Sequence, residues 1–205
     1  MARPPQDPQI RINEILDAAE ALFYERGYQP TLISDIVKKI GVAQGTFYYY
    51  FSSKEELVEA LINRHLSKFR TAIDAVANST VISLPRKIEL MANILLATIQ
   101  GKQGLLLEFL YNDQYLHLMD KVFRQAKKLL APYLLSVIKE GQRKQIFSVP
   151  HPKAVSNSIM SIIQCYVEAI YEKEAADILE YQKKFAKGLI ENALGLPEGE
   201  LHIPV

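Results

Sequence analysis

The chain of 205 residues contains one cysteine, carries almost no net charge and has no long hydrophobic run. A single cysteine, Cys165, excludes an intramolecular disulfide framework, and its place in an apolar helical pattern predicts a small core residue. No apolar stretch reaches the length of a membrane-spanning helix. Two prolines and Asp7 precede the first amphipathic pattern, which is not typical of a signal peptide. We therefore expect a cytoplasmic protein without a membrane partner.

The usual signatures of catalysis and of cofactor binding are also missing. The histidines are scattered, without the HxxxH or CxxC spacing of a metal site. No glycine-rich phosphate-binding loop occurs, and no group of titratable residues converges in the pattern. We predict neither a metal nor another cofactor, and we do not expect an enzyme. An enzyme on an all-α scaffold is kept as the weakest alternative.

The charge balance excludes a nonspecific DNA-coating protein, because 24 basic residues are nearly balanced by 23 acidic ones. The charge is nevertheless unevenly placed. The stretch from Ile36 to Lys54 holds three lysines and no carboxylate, whereas the acidic residues of the N-terminal part lie before and after it. The sequence thus predicts a local surface free of negative charge.

Apolar residues recur at helical spacing along most of the chain, which predicts an all-α fold of about nine helices. We expect two domains, a three-helix head over residues 1–52 and a larger helical domain over 53–205. A break is predicted at Gly101–Gly104 and another near Asn112–Gln114, and Pro132 should kink or interrupt its helix.

The stretch from Thr31 to Lys54 has the form of a helix-turn-helix. Thr31 is suited to cap a helix over 32–40, and Gly41 is suited to end it in a left-handed conformation. Phe47 and Phe51 lie four residues apart and therefore share one face of a second short helix, which we expect to be buried.

The outward face of that second helix has side chains suited to contact bases and phosphates in a DNA groove. Gln44 and Thr46 lie in its first turn, where an amide can pair with adenine and a methyl group can contact thymine. Gly45 permits close approach, and Tyr49 points away from the core. Hydroxyl groups and ammonium groups beside a helix N-terminus are common phosphate contacts. We assign this role to Tyr48, Tyr50 and Lys54.

This segment resembles the DNA-binding domain of TetR/AcrR-family transcriptional regulators over roughly the first 65 residues. The family pattern is met by Gly27, Thr31, Gly41, Val42, Gly45, Thr46, Phe47, Tyr48, Tyr50, Phe51 and Lys54. Val37 and Ala43 depart from it, since the family commonly has alanine and serine there. The resemblance implies that Ser34 touches DNA as well. It also implies a double-stranded DNA operator as the partner.

The last two predicted helices have broad apolar faces, which need more than one neighbour. The resemblance implies that they form the four-helix interface of a homodimer, and the alternative is burial inside one subunit. The candidate interface residues are Val155, Ile159, Ile163, Tyr181, Phe185 and Leu189. The resemblance also implies a small-molecule effector in the second domain. The candidate pocket residues, which mix apolar surface with hydroxyls, are Met91, Leu95, Thr98, Phe109, Tyr115, Phe123 and Tyr166.

From these features we expect a ligand-responsive repressor that a small apolar or amphipathic effector releases from a palindromic operator. The alternative is a DNA-bound adaptor whose second domain recruits a protein. A partly apolar cavity of a few hundred cubic ångströms would favour the repressor. An exposed apolar patch outside the dimer interface would favour the adaptor.

Overall fold

The computed structural model describes residues 7–111 and 116–202, and it describes the side chains of these residues outside 99–123. The described residues form eight helices. This confirms the predicted all-α class, and the number is close to the predicted nine. The chain divides into two compact units, Met1–His65 and Leu66–Val205. The division falls inside a helix and later than residue 52.

The first unit holds three helices and the beginning of a fourth. They are α1 (Pro8–Arg26), α2 (Ile33–Ile40), α3 (Gln44–Tyr50) and α4 (Lys54–Asn78). Asp7 caps α1, because its carboxylate accepts a hydrogen bond of 2.9 Å from the backbone N–H of Gln9. Ile15, Phe23, Ile36 and Leu57 are among the side chains that fill the core of this unit.

A buried charge cluster ties α4 to α1 within the first unit. Glu20 is buried, and its carboxylate accepts a hydrogen bond of 2.5 Å from the Arg64 guanidinium. His65 Nε2 lies 3.0 Å from the other carboxylate oxygen, and Arg64 also reaches Asp17 at 2.6 Å. An ionised carboxylate is expensive to bury without such partners. The cluster therefore fixes how these two helices pack.

The second unit contains α5 (Leu84–Tyr111), α6 (Leu116–Arg143), α7 (Pro152–Tyr171) and α8 (Ala176–Leu194). The later turns of α4 supply Phe69 and Ile73 to its core. Buried side chains of α5, α6, α7 and α8 complete that core, among them Ile88, Met91, Leu134, Ile138, Ile159, Val167, Ile190 and Leu194.

The interruption predicted at Gly101–Gly104 is wrong, because α5 continues through both glycines to Tyr111. Glycine weakens a helix by only about 1 kcal/mol, which packing elsewhere in a long helix offsets. Pro132 does not end α6 either. The break predicted near Asn112–Gln114 lies outside the described residues.

The C-terminal segment is fastened to α5 and α8 by two buried carboxylates. Glu191 accepts a hydrogen bond of 2.8 Å from the backbone N–H of Leu201, whose side chain is fully buried. Glu89 accepts one from the backbone N–H of His202 and another from Arg86. These bonds satisfy carboxylates that would otherwise destabilise the core.

Replacing Arg64 with methionine should destabilise the first unit by about 3 kcal/mol or more, because Glu20 then stays buried without its guanidinium partner. Chemical denaturation of the full chain measures the change. Replacing Glu20 and Arg64 together with methionine should cost less than the sum of the single variants. If the Arg64→Met variant unfolded within about 0.5 kcal/mol of the parent chain, a typical value for a neutral surface change, the cluster would not have this role.

Candidate nucleic-acid interface

A glycine turn sets the angle between α2 and α3. Gly41 has φ 69° and ψ 39°, a left-handed conformation that glycine adopts without a side-chain penalty. The N–H of Val42 donates to the carbonyl of Val37 at 3.0 Å, and the N–H of Gly41 donates to that of Lys38 at 3.2 Å. These bonds satisfy the last carbonyls of α2. The predicted role of Gly41 is confirmed.

The cap of α2 is not Thr31, so this prediction was wrong. Thr31 is fully buried, and its hydroxyl donates to the carbonyl of Gly27 at 2.8 Å. Leu32 occupies the cap position, and its N–H donates to the carboxylate of Asp35 at 3.0 Å. Sequence reasoning missed Asp35, although an acidic residue three positions after a cap is a recognisable signal.

Two phenylalanines anchor α3. Phe47 is 0 % exposed and Phe51 is 4 % exposed, and their ring centroids lie 5.7 Å apart. The cap residue Ala43 makes no side-chain hydrogen bond to the helix. Because α3 has only seven residues, it would not be stable in isolation. Its orientation therefore depends on the burial of these two rings.

Burial of Phe47 turns the opposite side of α3 outward. Tyr49, two residues further and about 200° around the helix, is 80 % exposed. Gln44, Gly45 and Tyr48 are also exposed, while Thr46 and Tyr50 are half-buried. The rings of Tyr49 and Tyr50 meet edge to face at 4.8 Å. Ser34 is exposed in the first turn of α2. The structure thus places amide, hydroxyl and aromatic groups on accessible parts of α2 and α3.

Lys54 has a structural contact that the sequence did not reveal. Its ammonium donates to the backbone carbonyl of Tyr28 and lies 3.9 Å from the centre of the Tyr28 ring. Burial lowers the pKa of Lys54, and the nearby Glu55 carboxylate opposes this change. An ammonium has three donors, so the contact with Tyr28 leaves others for a phosphate. No local spacing could have revealed the contact, because the two residues are far apart in sequence.

Ser53 and Glu56 form hydrogen bonds at the N-terminus of α4. Ser53 Oγ accepts the backbone N–H of Glu56 at 3.2 Å. The Glu56 carboxylate accepts from the backbone N–H and the hydroxyl of Ser52, both at 2.6 Å, instead of from Ser53. These two bonds lower the pKa of Glu56. The start of α4 is therefore fixed beside the end of α3.

The α7 and α8 residues of the predicted dimer interface differ in burial. Ile159 is 1 % exposed and Ile163 is also buried, and Val155 packs against the same core. These three side chains therefore do not contribute to an exposed face. Tyr181 and Phe185 of α8 are 69 % and 57 % exposed, and their rings stack with centroids 6.3 Å apart. Leu189 and Ile178 extend the same exposed face.

The predicted pocket residues have several different surroundings. Met91 and Leu95 are buried in the core, and the Thr98 hydroxyl donates to the carbonyl of Ile94 at 2.7 Å. Tyr166 lines a small cavity among α5, α7 and α8. Tyr115 lies outside the described residues, and Phe109 and Phe123 lie outside the described side chains.

Three further findings concern the described part of the chain. Cys165 is exposed, so its predicted place in the core is wrong. Helical periodicity did not show which sides of α7 the other described helices cover. Over residues 7–111 and 116–202, no cluster of the described His, Cys, Asp or Glu side chains could hold a metal ion. Within the same ranges, no helix combines the length and the apolar character needed to cross a membrane.

Residues 15–61, which include this helix-turn-helix, match the family of bacterial regulatory proteins called the tetR family. Over this segment the chain is similar to regulators of the TetR/AcrR family. A relative, the HTH-type transcriptional repressor KstR2 of Mycobacterium tuberculosis, is 38% identical over 72 residues. That match covers 33% of this chain and 36% of the relative, so the chain spans about a third of the relative's length.

Solved structures share the fold across both units. A TetR transcription regulator from Haloarcula marismortui superposes with a TM-score of 0.74 at 22% identity, covering 90% of this chain and 98% of that one. The SmeT–triclosan complex superposes with a TM-score of 0.66 at 18% identity, covering 96% and 98%. At these identities the similarity establishes the fold alone.

Replacing Gly45 with alanine tests whether the glycine serves DNA. Among the described residues, no atom lies within 4 Å of a Cβ placed there, and the backbone is helical. Alanine should therefore stabilise α3 by about 1 kcal/mol. The added methyl should obstruct a groove and weaken operator binding about tenfold, or about 1.4 kcal/mol.

Thermal unfolding and fluorescence anisotropy with operator duplex measure the two effects of Gly45→Ala. A nonspecific duplex is the control, because a general loss of folding would weaken both duplexes. Unchanged operator affinity in a stabilised variant would show that Gly45 is not in contact with DNA.

Proposed function

We propose that this protein is a dimeric transcriptional repressor that binds a palindromic operator through α3 and is released by a small apolar or amphipathic effector. The observation that carries the proposal is the exposed polar and aromatic face of α3, held outward by burial of Phe47. The stretch from Ile36 to Lys54 has no carboxylate, so this surface does not repel phosphates. The relative KstR2 is named as a transcriptional repressor, which supports repression as the proposed activity.

The residues of the recognition surface divide into base readers and phosphate contacts. Gln44 and Thr46 lie in the first turn of α3, the part of a recognition helix that reaches base edges. Gly45 allows this approach, and Tyr49 extends furthest into solvent. Tyr48, Tyr50 and Ser34 supply hydroxyls for phosphates, which fix register without reading sequence. Lys54 adds a positive charge beside these hydroxyls, and its ammonium also donates to the backbone carbonyl of Tyr28.

The dimer interface is proposed on the exposed face of α8. Ile178, Tyr181, Phe185 and Leu189 follow each other at helical spacing and lie on one side of the helix. Four large apolar side chains in a row are costly to leave in water. A two-fold dimer covers such a face with its own copy, and it also presents two recognition helices to a palindrome.

The second unit is proposed as the effector domain. The SmeT complex, in which this fold is found with triclosan, supports the proposal of a small-molecule ligand. An effector releases DNA only if it binds the DNA-free arrangement more tightly, and DNA must then weaken effector binding by the same factor. A tenfold effect needs about 1.4 kcal/mol of coupling. This requirement makes the proposal measurable by paired titrations.

Selection of the purified protein on randomised duplexes should return a palindrome whose half-sites lie about one helical turn apart. Replacing Gln44 with alanine should relax the preference at one base position in each half-site and weaken operator binding by about 1–3 kcal/mol. The reason is that a good bidentate amide contact is lost.

The matched control is Tyr48→Phe, which removes a proposed phosphate contact and keeps the ring. This substitution should lower the affinity for all duplex sequences alike, and selection with the variant should return the same motif. A Gln44→Ala protein that selected the parent motif with the parent affinity would refute the assignment of this residue. Failure of the parent chain to retain any duplex would refute the proposed function.

Replacing Phe185 with aspartate should convert the dimer to a soluble monomer, because the side chain is exposed in a single subunit and would place a charge in the interface. Light scattering at micromolar concentration measures the mass, and circular dichroism should show unchanged helix content. Lys184→Gln alters the charge of α8 by the same amount outside this face and should remain dimeric. A monomeric parent protein would remove the basis of the interface and of the palindrome.

A further inference from the structure

Gly45 and Tyr49 occupy the centre of the outward face of α3. Measured around the helix from the buried Phe47, they lie at about 160° and 200°, whereas Tyr48 and Thr46 lie at about 100° on either side. Residues four positions apart are neighbours on a helix surface, and a long side chain extends toward the turn that precedes it. The bare backbone of Gly45 therefore adjoins the aromatic side chain of Tyr49 on this face.

The missing side chain of Gly45 leaves a space about the size of a methyl group. Among the described residues, no atom lies within 4 Å of a Cβ placed there, so the protein does not fill this space itself. The backbone is helical at this position, and alanine is more favourable than glycine inside a helix. Packing within the described part of the chain therefore does not require the glycine, whereas close approach of another molecule does.

The Tyr49 ring supplies an apolar surface next to this space. It is 80 % exposed, and it packs edge to face on the Tyr50 ring with the centroids 4.8 Å apart. Such aromatic pairs are stabilised beyond the area that they bury. The contact thus limits the positions of the Tyr49 ring while one face of the ring stays available to a partner.

The side chains of α3 favour thymine over guanine at the centre of the outward face. Guanine is most often recognised by arginine or lysine, and α3 has neither. Lys38 and Lys39 lie on α2, the helix that crosses the phosphate backbone. Thymine presents a methyl group in the major groove, which proteins recognise by apolar contact. The size of this methyl group matches the space at Gly45.

We propose that Gly45 and Tyr49 form a seat for the 5-methyl group of a thymine in each operator half-site. The inference rests on the proposed function, because it names the base that the centre of α3 recognises. The methyl group occupies the space of the missing Cβ, and the Tyr49 ring shields it from water. Burial of one such group raises the affinity about fourfold, or by about 0.8 kcal/mol. Recognition at this position thus depends on shape and apolar contact instead of hydrogen bonds.

The test replaces single thymines of the selected operator with deoxyuridine, which removes only the methyl group. Fluorescence anisotropy with the full chain should identify one thymine in each half-site whose replacement weakens binding about fourfold. The remaining thymines are the controls. The Tyr49→Ala variant should bind the thymine and deoxyuridine duplexes equally. Tyr49→Phe keeps the ring and should retain the fourfold preference, even if the lost hydroxyl lowers the affinity for both duplexes.

Gly45→Ala provides a second measurement, because its added methyl group competes with the thymine methyl group for one space. The variant should bind the thymine operator about tenfold more weakly than the parent protein. Deoxyuridine at the identified position in both half-sites should restore most of this affinity. The parent protein should show the opposite response to the same replacement, which separates a local clash from a general loss of folding.

Three results would overturn the seat while the repressor function stands. They are a parent protein that is insensitive to deoxyuridine at every thymine, a preference that survives Tyr49→Ala, and a loss in Gly45→Ala that deoxyuridine does not relieve. In each case the parent protein still binds its selected operator. If the parent protein retained no duplex at all, the proposed function would fail, and with it the recognition of thymine.

Discussion

The burial of Phe47 is the contact on which the recognition surface depends. A helix of seven residues without a side-chain cap has little stability of its own, so α3 takes its orientation from the unit against which Phe47 packs. Each residue advances the helix by about 100°, and one fixed ring therefore determines the direction of every other side chain on it. The exposure of Tyr49 and the position of Gln44 follow from this single constraint.

The placement of carboxylates complements this arrangement. Glu20, Glu89 and Glu191 are buried, and each is held by cations or backbone N–H groups inside its own unit. Asp35 and Glu56 are used at helix starts. A chain with nearly equal numbers of acids and bases can thus keep one surface free of negative charge. The ionic interactions stabilise the scaffold, while the surface of α3 carries mainly neutral donors and acceptors.

The sequence-based predictions were wrong where the sequence allowed a side chain more than one environment. Thr31 had the composition of a helix cap, but its buried hydroxyl bonds to the carbonyl of Gly27, and Asp35 completes the start of α2. Cys165 and Ile163 both lie on α7, yet one is exposed and the other buried. Periodicity identifies a helix and its apolar stripe, but it does not say which part of a broad stripe another helix covers.

The sequence by itself determined the helical class, the helix-turn-helix and the polar and aromatic character of the side of α3 opposite Phe47. These features depend on contacts between residues that are at most a few positions apart, so their spacing is visible in the chain. The tertiary structure decided the contact between Lys54 and Tyr28, the burial of the α7 face and the exposure of the α8 face. Such features depend on which distant segments pack against each other. This packing, and not the local pattern of residues, decides which groups remain in contact with water.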